Sequence, residues 1–197
     1  MLTIVWDVDD VLNALMRDWF EQEWMPRRPD CCRQYRDLTA NPPHEVLGID
    51  RREYLDSLDR FRLSAAARNM EPNPEALAWF RNYGADFRHI ALTARPLDTA
   101  PPAAEWVMRH FGEYIRVFGV VPCRSGPSTP AYDGSKSEFL EWWGRGDILV
   151  DDSSDNIEAA ERIGVCGVLF PQPWNRSPHS GPRMALESLT ETVLRLA

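Results

Sequence analysis

The feature that most constrains this chain lies at its start. Residues Leu2 to Leu12 read Leu-Thr-Ile-Val-Trp-Asp-Val-Asp-Asp-Val-Leu. A short apolar run of this kind is a buried strand. It ends in Asp7, Asp9 and Asp10, three acids within four positions. Carboxylates crowded at the exit of a buried strand repel one another and lose solvation, so a cation or a solvated loop has to compensate them. In an open α/β sheet, the carboxyl ends of the strands are also where ligands bind. Asp7 and Asp9 are therefore the expected chemical centre, with partners supplied from later in the chain.

The rest of the sequence supplies a sheet around that strand. Leu12, Leu15, Met16, Trp19 and Phe20 share one face of a helix of roughly a dozen residues that Pro26 is expected to stop. From Arg27 to His44 the chain reads as loop, and Asp50 with Glu53 resembles a capping box that opens a helix carrying Leu55, Leu58 and Phe61. From Asn73 onward strands and helices alternate. Strands are expected at 87–92, 115–121, 148–150 and 168–170, with helices between them and a terminal helix at 184–196. A Pro/Ser/Gly-rich loop spans Pro122 to Gly134. Alternation of this kind gives an α/β fold, a parallel sheet with helices on both faces. Residues 1–13 and 71–197 form its core, and residues 14–70 read as a small helical insertion after the first strand.

The 197-residue chain carries a net charge of -8, which disfavours a nucleic-acid polymer or an anionic membrane as partner. No apolar run is long enough to span a bilayer, and Asp7 interrupts the first one before it can serve as a secretory leader. Cys31, Cys32, Cys123 and Cys166 show neither metal-ligand spacing nor a disulfide framework, so reduced thiols and a cytoplasmic setting are expected.

Further polar residues cluster at the same sheet edge. Thr93 follows the second strand, Asp151 and Asp152 follow the fourth, and Lys136 opens the helix before the fourth. A cation in the first turn of a helix opposes the helix dipole, which favours a purpose for Lys136 beyond solubility. Carboxylates from separate strands suit a hard divalent ion, of which Mg2+ is the natural choice. A nearby ammonium and hydroxyl complete a site for an anion such as phosphate. An Asp carboxylate can attack phosphorus, and a second Asp can carry protons to and from the reacting oxygens.

Taken in order, these residues resemble the four motifs of the haloacid dehalogenase (HAD) superfamily. Asp7-Val8-Asp9-Asp10-Val11-Leu12 resembles the first, Leu92-Thr93 the second, Lys136 the third and Asp151-Asp152 the fourth. Within that superfamily, Leu92-Thr93-Ala94-Arg95-Pro96 and Gln172-Pro173-Trp174-Asn175 are most similar to the 5'(3')-deoxyribonucleotidase group and its bacterial relatives. The resemblance implies a Rossmann-like HAD core with a helical cap inserted after the first motif. It implies a Mg2+-dependent phosphomonoester hydrolase of the 5'-nucleotidase type, acting through an aspartyl-phosphate on a nucleoside monophosphate. Asp7 would be nucleophile and metal ligand, and Asp9 the acid/base that also offers its carbonyl to the metal. Asp152 would be the main further ligand, assisted by Asp151. Thr93 and Ala94 would hold phosphate oxygens, Lys136 would offset charge, and Arg95 would be either a phosphate contact or a loop cation. Trp19, Phe20 and Trp24 would stack on a base or pack in the cap, with Phe20 the best candidate for substrate contact. Dehalogenating relatives lack an acid at the position of Asp9, which disfavours that chemistry here. Asn156 stands where some relatives carry a further acid. The alternatives are a sugar-phosphate or phosphoglycolate phosphatase, a phosphotransferase, and a non-catalytic binding protein of the same fold.

Overall fold

The computed structural model describes residues 1–123 and 133–196. Most of the expected loop from Pro122 to Gly134 lies outside the described residues. The sheet has five parallel strands: β1 (Thr3–Trp6), β2 (Arg88–Arg95), β3 (Ile115–Pro122), β4 (Ile148–Asp151) and β5 (Cys166–Leu169), in the order β3-β2-β1-β4-β5. β1 lies at the centre, with Val5 opposite Ile90 on one side and Leu149 on the other. All four of its residues are buried, which is why its sequence is apolar without alternation.

Side chains leave the strands on alternate faces, and the core divides accordingly. Ile4 and Trp6 face α5 (Pro74–Tyr83), α6 (Ala100–Phe111) and α9 (Pro182–Leu196), where Trp79, Phe80, Phe111 and Leu189 fill the space. Val5, Leu92 and Leu149 face α7 (Lys136–Trp143) and α8 (Ser154–Arg162), where Phe139, Leu140, Ile157 and Ala160 pack. The helix starts are capped as their sequences suggest. Asn73 accepts from the N–H groups of Glu75 and Ala76, Ser135 from that of Glu138, and Ser153 from that of Asn156.

Between β1 and α5 the chain builds a separate apolar cluster from α1 (Leu15–Trp19), α2 (His44–Leu47), α3 (Arg51–Arg62), α4 (Ala65–Arg68) and their connections. Leu15, Met16, Trp19, Phe20, Trp24, Tyr54, Leu58 and Phe61 form its centre.

Three local readings need correction. The first helix is regular only over Leu15–Trp19; it then widens over Phe20–Trp24, where Met25 N–H bonds Phe20 C=O. That i+5 spacing brings Trp24 beneath Trp19, with ring centroids 5.6 Å apart, so both are buried. Pro26 does not end the helix but sits in a tighter final turn, Met25–Arg27. β2 runs three residues past its expected end because β3 pairs with it as far as Arg95–Pro122. Glu53 does not close a capping box; it ion-pairs with Arg28, while Asp50 caps α3 at the Arg52 N–H. Among the described residues, no helix is long and apolar enough to cross a membrane.

Candidate active site

The parallel register assembles the site. Trp6 stands opposite Val150, and the Asp7 N–H continues that ladder to the Val150 carbonyl at 2.9 Å. Asp7 and Asp151 thus leave neighbouring strands at the same level. Lys136, in the first turn of α7, reaches between them and donates to Asp7 Oδ1 at 2.8 Å and Asp151 Oδ2 at 2.7 Å. Asp7, Asp151, Asp152 and Lys136 are all buried. Burial pushes the Asp7 carboxyl up to about 7 against the pull of Lys136. Burial, then Asp151 and Asp7, raise the Asp152 carboxyl well above the ordinary carboxylate range. Burial works against the Lys136 charge, but its two carboxylates outweigh it and hold the ammonium protonated above its usual range.

Asp9 lies on the other side of Asp7 between two guanidinium groups. Arg95 Nη2 is 2.5 Å from its Oδ1, and Arg62 Nη2 is 3.2 Å from its Oδ2. Burial alone would raise the Asp9 carboxyl, but Arg95 and Arg62 prevail and it titrates below its ordinary value. Arg62 comes from α3, so the insertion contributes directly to the site. Asp10 takes φ 65°, a left-handed conformation, and its carboxylate accepts the Met16 N–H at 2.9 Å, which starts α1. Asp10 thus joins the turn to the insertion, as its position in the sequence suggests.

These residues line one cleft of about 400 Å3, a size that suits a small molecule. Asp7, Asp9, Thr93, Ala94, Lys136 and Asp152 form its polar floor. Leu15, Met16, Tyr54, Leu55 and Leu58 form an apolar wall, with Asn41 and Arg51 beside it.

Two expected contacts fall elsewhere. Phe20 does not line the cleft; it is packed within the apolar cluster of the insertion, and Met16 occupies the wall instead. Trp19 and Trp24 are likewise buried away from the cleft, Trp19 donating its indole N–H to Ser57 at 3.1 Å. Arg95 turns inward as well. Its guanidinium is spent on Asp9, on Thr93 Oγ1 at 3.3 Å and on the Thr99 carbonyl at 3.2 Å, so it braces Asp9 and does not face the cleft. Thr93 Oγ1 accepts that bond and keeps its own proton to donate.

Oxygen donors at this position fit a divalent cation. One carboxylate oxygen from each of Asp7, Asp151 and Asp152 lies within 4.8 Å of the others. Asp151 already accepts hydrogen bonds on both oxygens, from Lys136, the Ser153 N–H and the Asn156 side chain. Among the described residues, Asp7 Oδ2 and Asp152 Oδ1 accept none. Asp7, Asp9, Asp10, Asp151 and Asp152 crowd this end of the sheet, and Arg62 divides its charge between Asp9 and Asp59, so the nearby cations do not match the carboxylates one for one. Asn156 donates its side-chain amide to both oxygens of Asp151, at 3.1 and 3.2 Å.

Arg62, Asn156, Trp174 and Met16 complete the site without a sequence reading that assigned them to it. Of these, Trp174 stood inside the motif Gln172-Pro173-Trp174-Asn175, and Asn156 at a position where some relatives carry a further acid.

No protein-family model matches the chain, and no curated protein is similar to it in sequence. Solved structures are similar in fold. A haloacid dehalogenase-like family hydrolase from Streptococcus pneumoniae superimposes with a TM-score of 0.63 at 10% identity, covering 100% of this chain and 99% of that one. A HAD-superfamily hydrolase of subfamily IA from Geobacter sulfurreducens gives 0.55 at 16% identity, covering 96% of each chain. An L-2-haloacid dehalogenase gives 0.55 at 16% identity, covering 98% and 99%. The chain therefore has the Rossmann-like fold of the haloacid dehalogenase-like hydrolases.

Proposed function

We propose that the protein is a Mg2+-dependent phosphomonoester hydrolase that works through an aspartyl-phosphate on Asp7, with a nucleoside monophosphate as its substrate. The observation that carries this reading is the state of Asp7. One of its oxygens is fixed by Lys136 and the Val8 N–H, and the other accepts no hydrogen bond among the described residues, on the floor of the cleft that Asp152 also lines. Asp7 and Asp152 would hold the cation, with Asp9 offering its carbonyl. Bound there, Mg2+ neutralises charge and lets an anionic phosphoryl group approach an anionic nucleophile.

The chain's own residues then divide the work. Thr93 Oγ1 and the backbone at Ala94 hold phosphoryl oxygens, and Lys136 balances their charge. Asp9 rests ionised between Arg95 and Arg62 and takes up a proton from solvent as substrate enters; Asp7 forms a bond to phosphorus as the bond to the leaving oxygen breaks, and Asp9 passes that proton to the leaving oxygen. In the second half, Asp9 takes a proton from water as the water oxygen attacks phosphorus, which frees Asp7 and inorganic phosphate. Asp151 takes no part in bond making; it positions Lys136.

The apolar wall supports a nucleoside as the leaving group, because Leu15, Met16, Leu55 and Leu58 offer apolar surface on which a base can pack. Asn41 and Arg51 at the same wall favour the second reading, a sugar phosphate or phosphoglycolate. Residues 14–70 are read as a cap that shields the cleft from bulk water during the first half-reaction. The test is phosphate release from a panel of mononucleotides and sugar phosphates, with and without Mg2+. Turnover of nucleotides that requires Mg2+ is the expected result. Preference for sugar phosphates removes the nucleotidase assignment, and Mg2+ binding without turnover of any substrate favours a binding protein instead.

A further inference from the structure

We infer that Trp174 is a positioning residue for the metal site: its indole N–H holds one oxygen of Asp152 and so turns the other toward the cation. The inference rests on reading Asp152 as a metal ligand.

Asp152 follows β4 directly and is 6% exposed. A carboxylate in that position is free to rotate about its last bond and can present either oxygen or neither. Trp174 Nε1 donates to Asp152 Oδ2 at 2.7 Å. Oδ1 is left without a hydrogen bond among the described residues, and one carboxylate oxygen of Asp152 lies within 4.8 Å of one from each of Asp7 and Asp151. The Asp152 main chain is tied to the same loop. Asn175 Nδ2 donates to the Asp152 carbonyl and to the Phe170 carbonyl, both at 2.7 Å.

The indole is itself held in place. Tyr35, from the insertion, meets it edge to face, with centroids 6.1 Å apart and ring planes at 89°. The Tyr35 hydroxyl donates to Gln172 Oε1 at 2.8 Å, and Gln172 Nε2 donates to the Asp10 carbonyl at 2.5 Å. The loop after β5 is thus braced against both the acidic turn and the insertion. The indole N–H is a donor only, so it can orient a carboxylate without competing for the cation. Outer-shell donors of this kind typically set metal affinity by about 10–100-fold.

Trp174→Phe keeps most of the ring and removes the N–H. Calorimetric titration of the intact protein with Mg2+, without substrate, should show affinity weakened by about 10–100-fold. In turnover assays the Mg2+ midpoint should move by the same factor, while kcat at saturating Mg2+ stays near the wild-type value. Unchanged Mg2+ affinity overturns the inference, as does a change confined to substrate KM, which would make Trp174 a substrate contact. Wild-type protein with 15N-labelled tryptophan gives a readout that needs no variant at 174. Of its eight indole N–H resonances, one should shift on adding Mg2+, and Asp152→Asn should shift the same one; no shared resonance overturns the inference. The binding arms do not require catalysis. A protein that binds Mg2+ through Trp174-dependent geometry but hydrolyses nothing loses the phosphatase reading and keeps this one. A phosphatase indifferent to Trp174→Phe does the reverse, and a wild-type protein that binds no Mg2+ overturns the inference outright.

Discussion

Asp7→Asn is expected to make the metal-free protein more stable while abolishing its proposed chemistry. Burial and the neighbouring acids push the Asp7 carboxyl from 3.8 up to about 7. The folded state therefore holds that proton more tightly than the unfolded chain does, and stability falls as pH rises between about 4 and 7. Above that window the ionised carboxylate costs roughly 4 kcal/mol, and below it the cost is absent. Asparagine keeps the shape and carries no charge, so the variant should exceed the wild type by up to about 4 kcal/mol at pH 8 and by almost nothing at pH 4. His89 works in the opposite direction. Burial lowers it to about 4, its Nδ1 accepts the Trp6 indole N–H at 3.1 Å, and its contribution is lost as pH falls from 6.5 toward 4. The difference between the two proteins, not the wild-type curve, is therefore the readout. Urea unfolding of both proteins in a chelator, from pH 4 to pH 8, measures it. Mg2+ should then restore the wild type and leave the variant unchanged. Equal stability at pH 8, or a gap that widens on acidification, refutes the account of Asp7 as a destabilised buried charge.

Other substitutions separate packing from contact. Phe20→Ala should cost about 3–5 kcal/mol in urea unfolding and leave KM unchanged in the folded fraction, whereas Met16→Ala should raise KM. A Cβ at Gly167 would lie 2.4 Å from Ile157 Cγ2, so Gly167→Ala should cost about 1–3 kcal/mol, read by thermal or urea unfolding. Arg62→Met leaves Asp9 with Arg95 and the Asn13 amide; it should lower stability by about 1–3 kcal/mol and slow phosphate release, and Arg62→Lys should recover only part of both because one ammonium cannot reproduce the guanidinium pairing with Asp9 and Asp59.

The fold and the floor of the site were legible because each rests on a local signal. Apolar runs mark the strands, and Asp7, Thr93 and Asp151 stand at or near their carboxyl ends, where parallel packing brings them together. The length of β2 was not legible, since its last three residues are strand only because β3 pairs with them. Helical spacing puts Phe20 on the face of Leu15, Met16 and Trp19, as found, but that face packs into the apolar cluster of the insertion, and the spacing does not record that Leu15 and Met16 reach the cleft while Phe20 does not. Arg95 was expected either at the phosphate or as a loop cation, and neither reading places its guanidinium inward on Asp9. Arg62 left no local trace of its role, and Trp174 stood in a quoted motif that did not disclose its contact. Each acts through one contact with a residue far away in the chain, Asp9 and Asp152 respectively, and no periodicity records such a contact.

The central claim is that Asp7 carries the phosphoryl group. Acid-quenched mass spectrometry of the enzyme turning over p-nitrophenyl phosphate with Mg2+ tests it most directly. The account predicts a phosphorylated peptide containing Asp7, at higher occupancy in Asp9→Asn, where the good leaving group departs without an acid but water lacks its base. Turnover with no phosphoryl group on Asp7, or residual turnover in Asp7→Asn, contradicts it.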